Sequence, residues 1–157
     1  MIRRHCASAE ETRAAGEAFA EVLYPGDVVV LSGRLGAGKT TFAQGVARGL
    51  GVRERVTSPT FTLVRPHACA NARGIATLYH ADVYRAGSLA EVLDLDLTEL
   101  VEEAAVALVE WGETAAPLFG DVLSVTLRDD EAEGRDLVVG GALALSRDAA
   151  LKAWAEQ

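Results

Sequence analysis

Lys39, Thr40, Glu110 and Asp82 are the residues of this chain whose types and surroundings could do chemistry. Lys39 and Thr40 close the run Gly33, four residues, Gly38, Lys39, Thr40, which is G-x-x-x-x-G-K-[ST], the phosphate-binding loop pattern. Gly33, Gly36 and Gly38 allow a tight bend that brings backbone N–H groups close to phosphate oxygens. A helix start behind the bend adds unpaired donors and a partial positive charge. Lys39 is long enough to reach the β- and γ-phosphates, and the Thr40 hydroxyl suits Mg2+. The chain carries 13 Arg but only two Lys, and one of the two is Lys39.

Glu110 ends a continuous apolar run, 105–109, well downstream of the loop. An acid at the C-terminal end of a buried strand is the Walker B pattern, where a carboxylate holds Mg2+ directly or through water. Trp111, beside it, reads as a core residue first and a site residue second. His80, Asp82 and Tyr84 alternate, so on a strand they share one face. Asp82 could position or deprotonate an attacking water, and His80 could orient it. Ser58-Pro59-Thr60 follows the loop's helix at the place where a nucleotide switch carries a γ-phosphate-sensing threonine; an ordinary turn before a strand fits it equally.

The elements that must position these residues are legible in part. Val28–Leu31 reads as a short β-branched strand feeding the loop, and Phe42, Val46 and Leu50 recur at helical spacing after it. Ile2–Cys6 reads as a strand, Ser8-Ala9-Glu10-Glu11 as a capping box, and a helix is predicted to about Leu23, with Ala15, Ala18, Phe19 and Val22 inward. Strands are predicted over 60–65 and 75–83 around a hairpin loop at 68–74. One or two short helices follow Ser88-Leu89-Ala90-Glu91, a second capping box. Two alternating strands, 121–128 and 136–142, flank an acidic turn at 129–134, and a helix is predicted over 147–157, with Leu151 and Trp154 inward. The expected fold is therefore α/β: one P-loop nucleotide-hydrolase domain over 1–157, three-layered, its mixed central sheet parallel near the loop and antiparallel at the hairpins.

Composition narrows the function. Half of the residues are apolar and 24% are charged, as in ordinary soluble domains. No apolar run approaches the ~18 residues of a membrane span, so no membrane contact is expected. The N-terminus lacks an apolar segment, and Glu10 and Glu11 argue against a transit peptide. Cys6 and Cys69 lack metal spacing and read as reduced thiols of a cytoplasmic protein. The net charge of −8 argues against a bare nucleic-acid surface. If RNA is involved, another protein holds it. Guanine recognition is disfavoured because N-K-x-D is absent, the one Asn being Asn71 followed by Ala72; ATP is favoured.

GRLGAGKTT (33–41), TSPTFTL (57–63), YHADVYR (79–85) and VEWGE (109–113), in this order, resemble the bacterial TsaE family, the ATPases of tRNA threonylcarbamoyladenosine biosynthesis. The resemblance implies a small Mg2+-dependent P-loop ATPase working with two ASKHA-fold partners, TsaB and TsaD, that modify an adenosine beside the tRNA anticodon; tRNA is then met through them. Carried over, Leu35, Gly36, Ala37, Gly38, Lys39, Thr40 and Thr41 hold the phosphates of ATP. Thr40 and Glu110 hold Mg2+, Asp82 assists the hydrolytic water, and Thr60 belongs to a switch. Gly134 and Arg135 lie near the base or ribose, and the helix start at Ser8 and Ala9 approaches the adenine. Two departures stand out: residues 94–97 lack the glycine usual between the two short helices, and Gly112 stands where a proline is common. The alternatives are a small-molecule kinase, which would need a lid with arginines where only Arg73 and Arg85 are candidates, and a nucleotide-regulated module without turnover.

Overall fold

In a computed structural model of the chain, residues 1–58, 63–84, 89–113, 115–130 and 134–157 are described. Pro59, Thr60, Arg85 and Ser88 lie outside them. A seven-stranded mixed sheet runs through the molecule: β1 (Ile2–Cys6), β2 (Val28–Ser32), β3 (Val64–Ala68), β4 (Thr77–Asp82), β5 (Ala105–Glu110), β6 (Leu123–Asp129) and β7 (Arg135–Gly140), in spatial order β1-β7-β6-β2-β5-β4-β3. β6, β2, β5 and β4 are parallel neighbours, while β1, β7 and β3 are attached antiparallel. The expected parallel centre with antiparallel margins is what forms.

Strand alternation divides the sheet into two apolar faces. Val29 and Leu31 of β2, Val106 and Leu108 of β5 and Leu123 and Val125 of β6 point to one side, where α1 (Ala9–Phe19), α2 (Lys39–Gly49) and α6 (Asp148–Ala155) pack. Phe19 holds that layer together, its ring 5.4 Å from both Phe42 and Trp154. Val28, Val30, Ala107 and Val109 point the other way, under α3 (Leu89–Asp94), α4 (Leu97–Leu100) and a 3₁₀ turn at Ala116–Phe119. This gives the three layers that the sequence led us to expect.

Ser8 caps the first helix as the box predicts, while Glu11 takes its return bond from Ala7 N, one residue before the Ser8 N–H. Ser8 Oγ accepts from Glu11 N at 3.1 Å, and the Glu11 carboxylate accepts from Ala7 N at 2.7 Å. Other boundaries differ from the sequence reading for physical reasons. β3 starts at Val64 and contains Pro66, which is tolerated because, among the described residues, β3 is an edge strand pairing only with β4. The hairpin loop runs longer than 68–74 because Asn71 organises it, donating to Leu50 O and Ile75 O and accepting from Arg73 N. β7 stops at Gly140 and does not reach residue 142, since Gly141 turns at φ +93 into a short helix, α5 (Ala142–Ser146). Between α3 and α4, Asp96 takes the left-handed turn (φ 51, ψ 40) that a glycine would make easily.

Candidate functional site

The C-terminal ends of β2, β4 and β5 and the start of α2 enclose a cleft of about 330 Å³. It is lined by residues of the loop, namely Leu35, Gly36, Gly38, Lys39, Thr40 and Thr41, and by Ser58, Asp82, Glu110 and Trp111. The loop leaves β2 at Gly33 and enters α2 through Gly38, whose left-handed conformation (φ 100, ψ 17) only glycine adopts freely. Phe42 N is bonded back to Gly38 O at 2.9 Å, while the N–H groups of the first helical turn have no carbonyl partner within the helix. These donors and the helix dipole make the loop a cradle for an anion.

Lys39 is 5% exposed and folds back over its own loop. Its Nζ donates to Gly33 O at 2.7 Å and Arg34 O at 2.8 Å, and stands 3.8 Å from the centre of the Trp111 ring. Burial pulls the ammonium below its ordinary 10.5, while Glu110, Glu113 and Asp82 pull the other way. Behind it, Thr40 Oγ1 donates to Glu110, 3.1 Å from Oε1 and 3.3 Å from Oε2. Glu110 is 2% exposed, and it reaches α2 because it shares the face of Leu108 and Val106 on β5. Asp82 pairs with Glu110 in the strand register, accepts from Ser58 Oγ at 3.1 Å through Oδ2, and accepts from Tyr84 N at 2.9 Å through Oδ1.

Three sequence expectations need correction or extension. His80 does not face the cleft to orient a water: it is fully buried, with Nε2 at 2.6 Å from Glu110 Oε2. Trp111 is more than a core residue. It packs against the lower apolar layer, takes φ +61 with its N–H bonded to Leu31 O, and presents its ring to Lys39. Tyr84 lies beyond β4, is 62% exposed and stacks on Trp111 at 4.7 Å. The signal for both aromatics lay in the strand ends that they follow, but their contacts depend on the pairing of β4 with β5.

Gly134 and Arg135 sit outside the cleft, against the loop's far side. Arg135 Nε donates to Ala37 O at 3.0 Å and lies 3.2 Å from Asp129 Oδ1. Asp129 also pairs with Arg34. The first turn of α1 flanks the same side, since a Cβ at Gly38 would come within 3.8 Å of Thr12 Cγ2.

The donor set fits Mg2+ bound together with a phosphate chain. Thr40, Glu110 and Asp82 offer only oxygens, which suit a hard cation. Among the described residues no group of three or more His, Cys, Asp or Glu could hold a metal alone.

Comparison with known proteins bears on the same residues. The family model described as "Threonylcarbamoyl adenosine biosynthesis protein TsaE" matches residues 6–137. The chain belongs to the TsaE family. A Treponema pallidum relative named tRNA threonylcarbamoyladenosine biosynthesis protein TsaE is 46% identical over 133 residues, 84% of this chain and 95% of its own. The Bacillus subtilis protein of that name is 47% identical over 135 residues, 83% of this chain and 82% of its own. The crystal structure of Bacillus subtilis YdiB superimposes with a TM-score of 0.72 at 29% identity, covering 99% of this chain and 97% of that one. Family membership ties the chain to tRNA threonylcarbamoyladenosine biosynthesis. The matched span contains every cleft residue named above.

Proposed function

We propose that residues 1–157 form one domain that binds and hydrolyses ATP with Mg2+, and that this hydrolysis drives or resets a tRNA threonylcarbamoyl-transfer complex built from TsaB- and TsaD-type proteins. The observation that carries the reading is the bond from Thr40 Oγ1 to Glu110 at 3.1 Å, directly behind the lysine of an intact phosphate loop. The loop backbone from Leu35 to Thr41 binds the β- and γ-phosphates, and Lys39 leaves the carbonyls of Gly33 and Arg34 to meet them. Thr40 and Glu110 would hold Mg2+, which would supply positive charge beside the same phosphates. Asp82 holds the attacking water in line and accepts its proton. Thr60 belongs to a switch segment that senses the γ-phosphate, and Gly134 and Arg135 lie near the base or ribose.

tRNA is met through the partners, consistent with the net charge of −8. Among the described residues no helix is long and apolar enough to cross a membrane, and the proposed place of action is the cytoplasm. The test is a nucleotide-dependent association assay with TsaB- and TsaD-type proteins and tRNA, run beside phosphate release. Association that changes between ATP and ADP, with hydrolysis faster in the complex, is expected. Absence of association, or phosphate delivered to a metabolite instead of water, overturns it.

A further inference from the structure

His80 lies two residues before Asp82 on β4, on the same sheet face, and beneath the cleft rather than in it. Its Nε2 is 2.6 Å from Glu110 Oε2. A carboxylate offers lone pairs only, so Nε2 carries the hydrogen and donates. The other nitrogen, Nδ1, is buried and has no hydrogen-bond partner among the described residues. A buried polar atom without a partner costs stability. An aliphatic side chain at position 80, next to Leu78 on the strand and paired with Leu108, would avoid that cost. The imidazole is thus a poor choice for packing and a good one for holding the carboxylate.

We propose that His80 is a positioning residue for Glu110: it ties down Oε2 and thereby leaves Oε1 directed at Thr40 and the metal-binding side of the cleft. This rests on the reading of Glu110 as a Mg2+ ligand. The two contacts to Glu110 differ in kind. Thr40 is itself a proposed ligand, so its bond changes when the ion arrives. The His80 bond is fixed by the register of β4 on β5, in which His80 pairs with Leu108 and Asp82 with Glu110, so the carboxylate is oriented before any ligand enters. Groups that hydrogen-bond a metal-ligating side chain typically change metal affinity or activity ~10–100-fold when removed.

The test compares wild type, His80→Leu and His80→Gln by calorimetry of ADP binding with Mg2+ and with EDTA, alongside thermal unfolding. His80→Leu removes the unpartnered Nδ1 but also takes the donor from the buried Glu110 Oε2, so it is expected to fold with an unchanged or lower Tm and to bind Mg2+-free ADP as wild type does. It should lose ~10-fold or more of the affinity gained from Mg2+. His80→Gln, whose amide N–H can reach the position of Nε2, should restore that gain. A wild-type Mg2+ gain in His80→Leu, or equal losses with and without Mg2+, overturns the inference alone. No Mg2+ gain in the wild type overturns the metal reading of Glu110 and this inference with it. Should His80→Leu not fold, His80→Met takes its place with the same expected outcomes.

Discussion

Replacing Lys39 with Met keeps the length of the buried stem and removes the charge. In the structure the ammonium is held by two loop carbonyls, Gly33 O at 2.7 Å and Arg34 O at 2.8 Å. Binding a nucleotide is therefore an exchange, not a new contact made from nothing. The attraction of an ammonium for a phosphate oxygen about 4 Å away is about 4 kcal/mol at an effective dielectric of ~20. Giving up the carbonyl bonds returns on the order of 1 kcal/mol for each bond lost. The difference, about 2 kcal/mol, corresponds to a Kd for Mg–ADP weakened ~30-fold in Lys39→Met. Stability should move much less, because the substitution also removes a charge that burial disfavours. Calorimetric titration at fixed Mg2+, paired with thermal unfolding, checks both halves. A variant that binds within ~3-fold of wild type would refute the exchange argument and the placement of phosphates at this loop.

Two further outcomes follow from packing and charge. Gly45→Ala would put a Cβ 2.0 Å from Arg13 O, between α1 and α2. Forcing the helices apart costs about 1–3 kcal/mol, offset by up to about 1 kcal/mol of helix propensity, so thermal unfolding by circular dichroism should show a Tm lowered by roughly 2–8 °C. An unchanged Tm would mean that the two helices are not in close contact. Asp136 accepts from Arg3, and that bond, followed by the one from His5, holds its carboxyl below the ordinary 3.8 despite partial burial. A depressed folded-state value gives stability that is present above the unfolded value and is lost as pH falls through the folded one. Asp136→Asn should therefore be less stable than wild type above about pH 4, with the gap closing at lower pH in urea titrations.

How far the sequence led can be judged residue by residue. The strand, loop and helix from Val28 to Gly49 were legible because their signals are local: β-branched apolar residues, glycine spacing, helical periodicity. Glu110 was legible because an acid after five apolar residues is also local. The role of His80 was not, since alternation placed it with Asp82 but only the β4–β5 register shows that it meets Glu110. Trp111 was only half legible for the same reason: its left-handed backbone and its place over Lys39 arise from the union of two strand ends with the loop. Asp96 and Gly141 set boundaries by backbone conformation, which residue type alone signals weakly.

The margins of the sheet restrict how another protein can attach. On one side β3 offers Arg65 and Pro66 to solvent, and a proline has no N–H to give to an added strand. On the other, β1 carries Arg3 and Arg4, a charged border facing any would-be eighth strand. Lateral growth of the sheet, whether by a second copy or by an extended peptide, is discouraged at both ends. The described helices and loops are left as the more accessible faces for assembly.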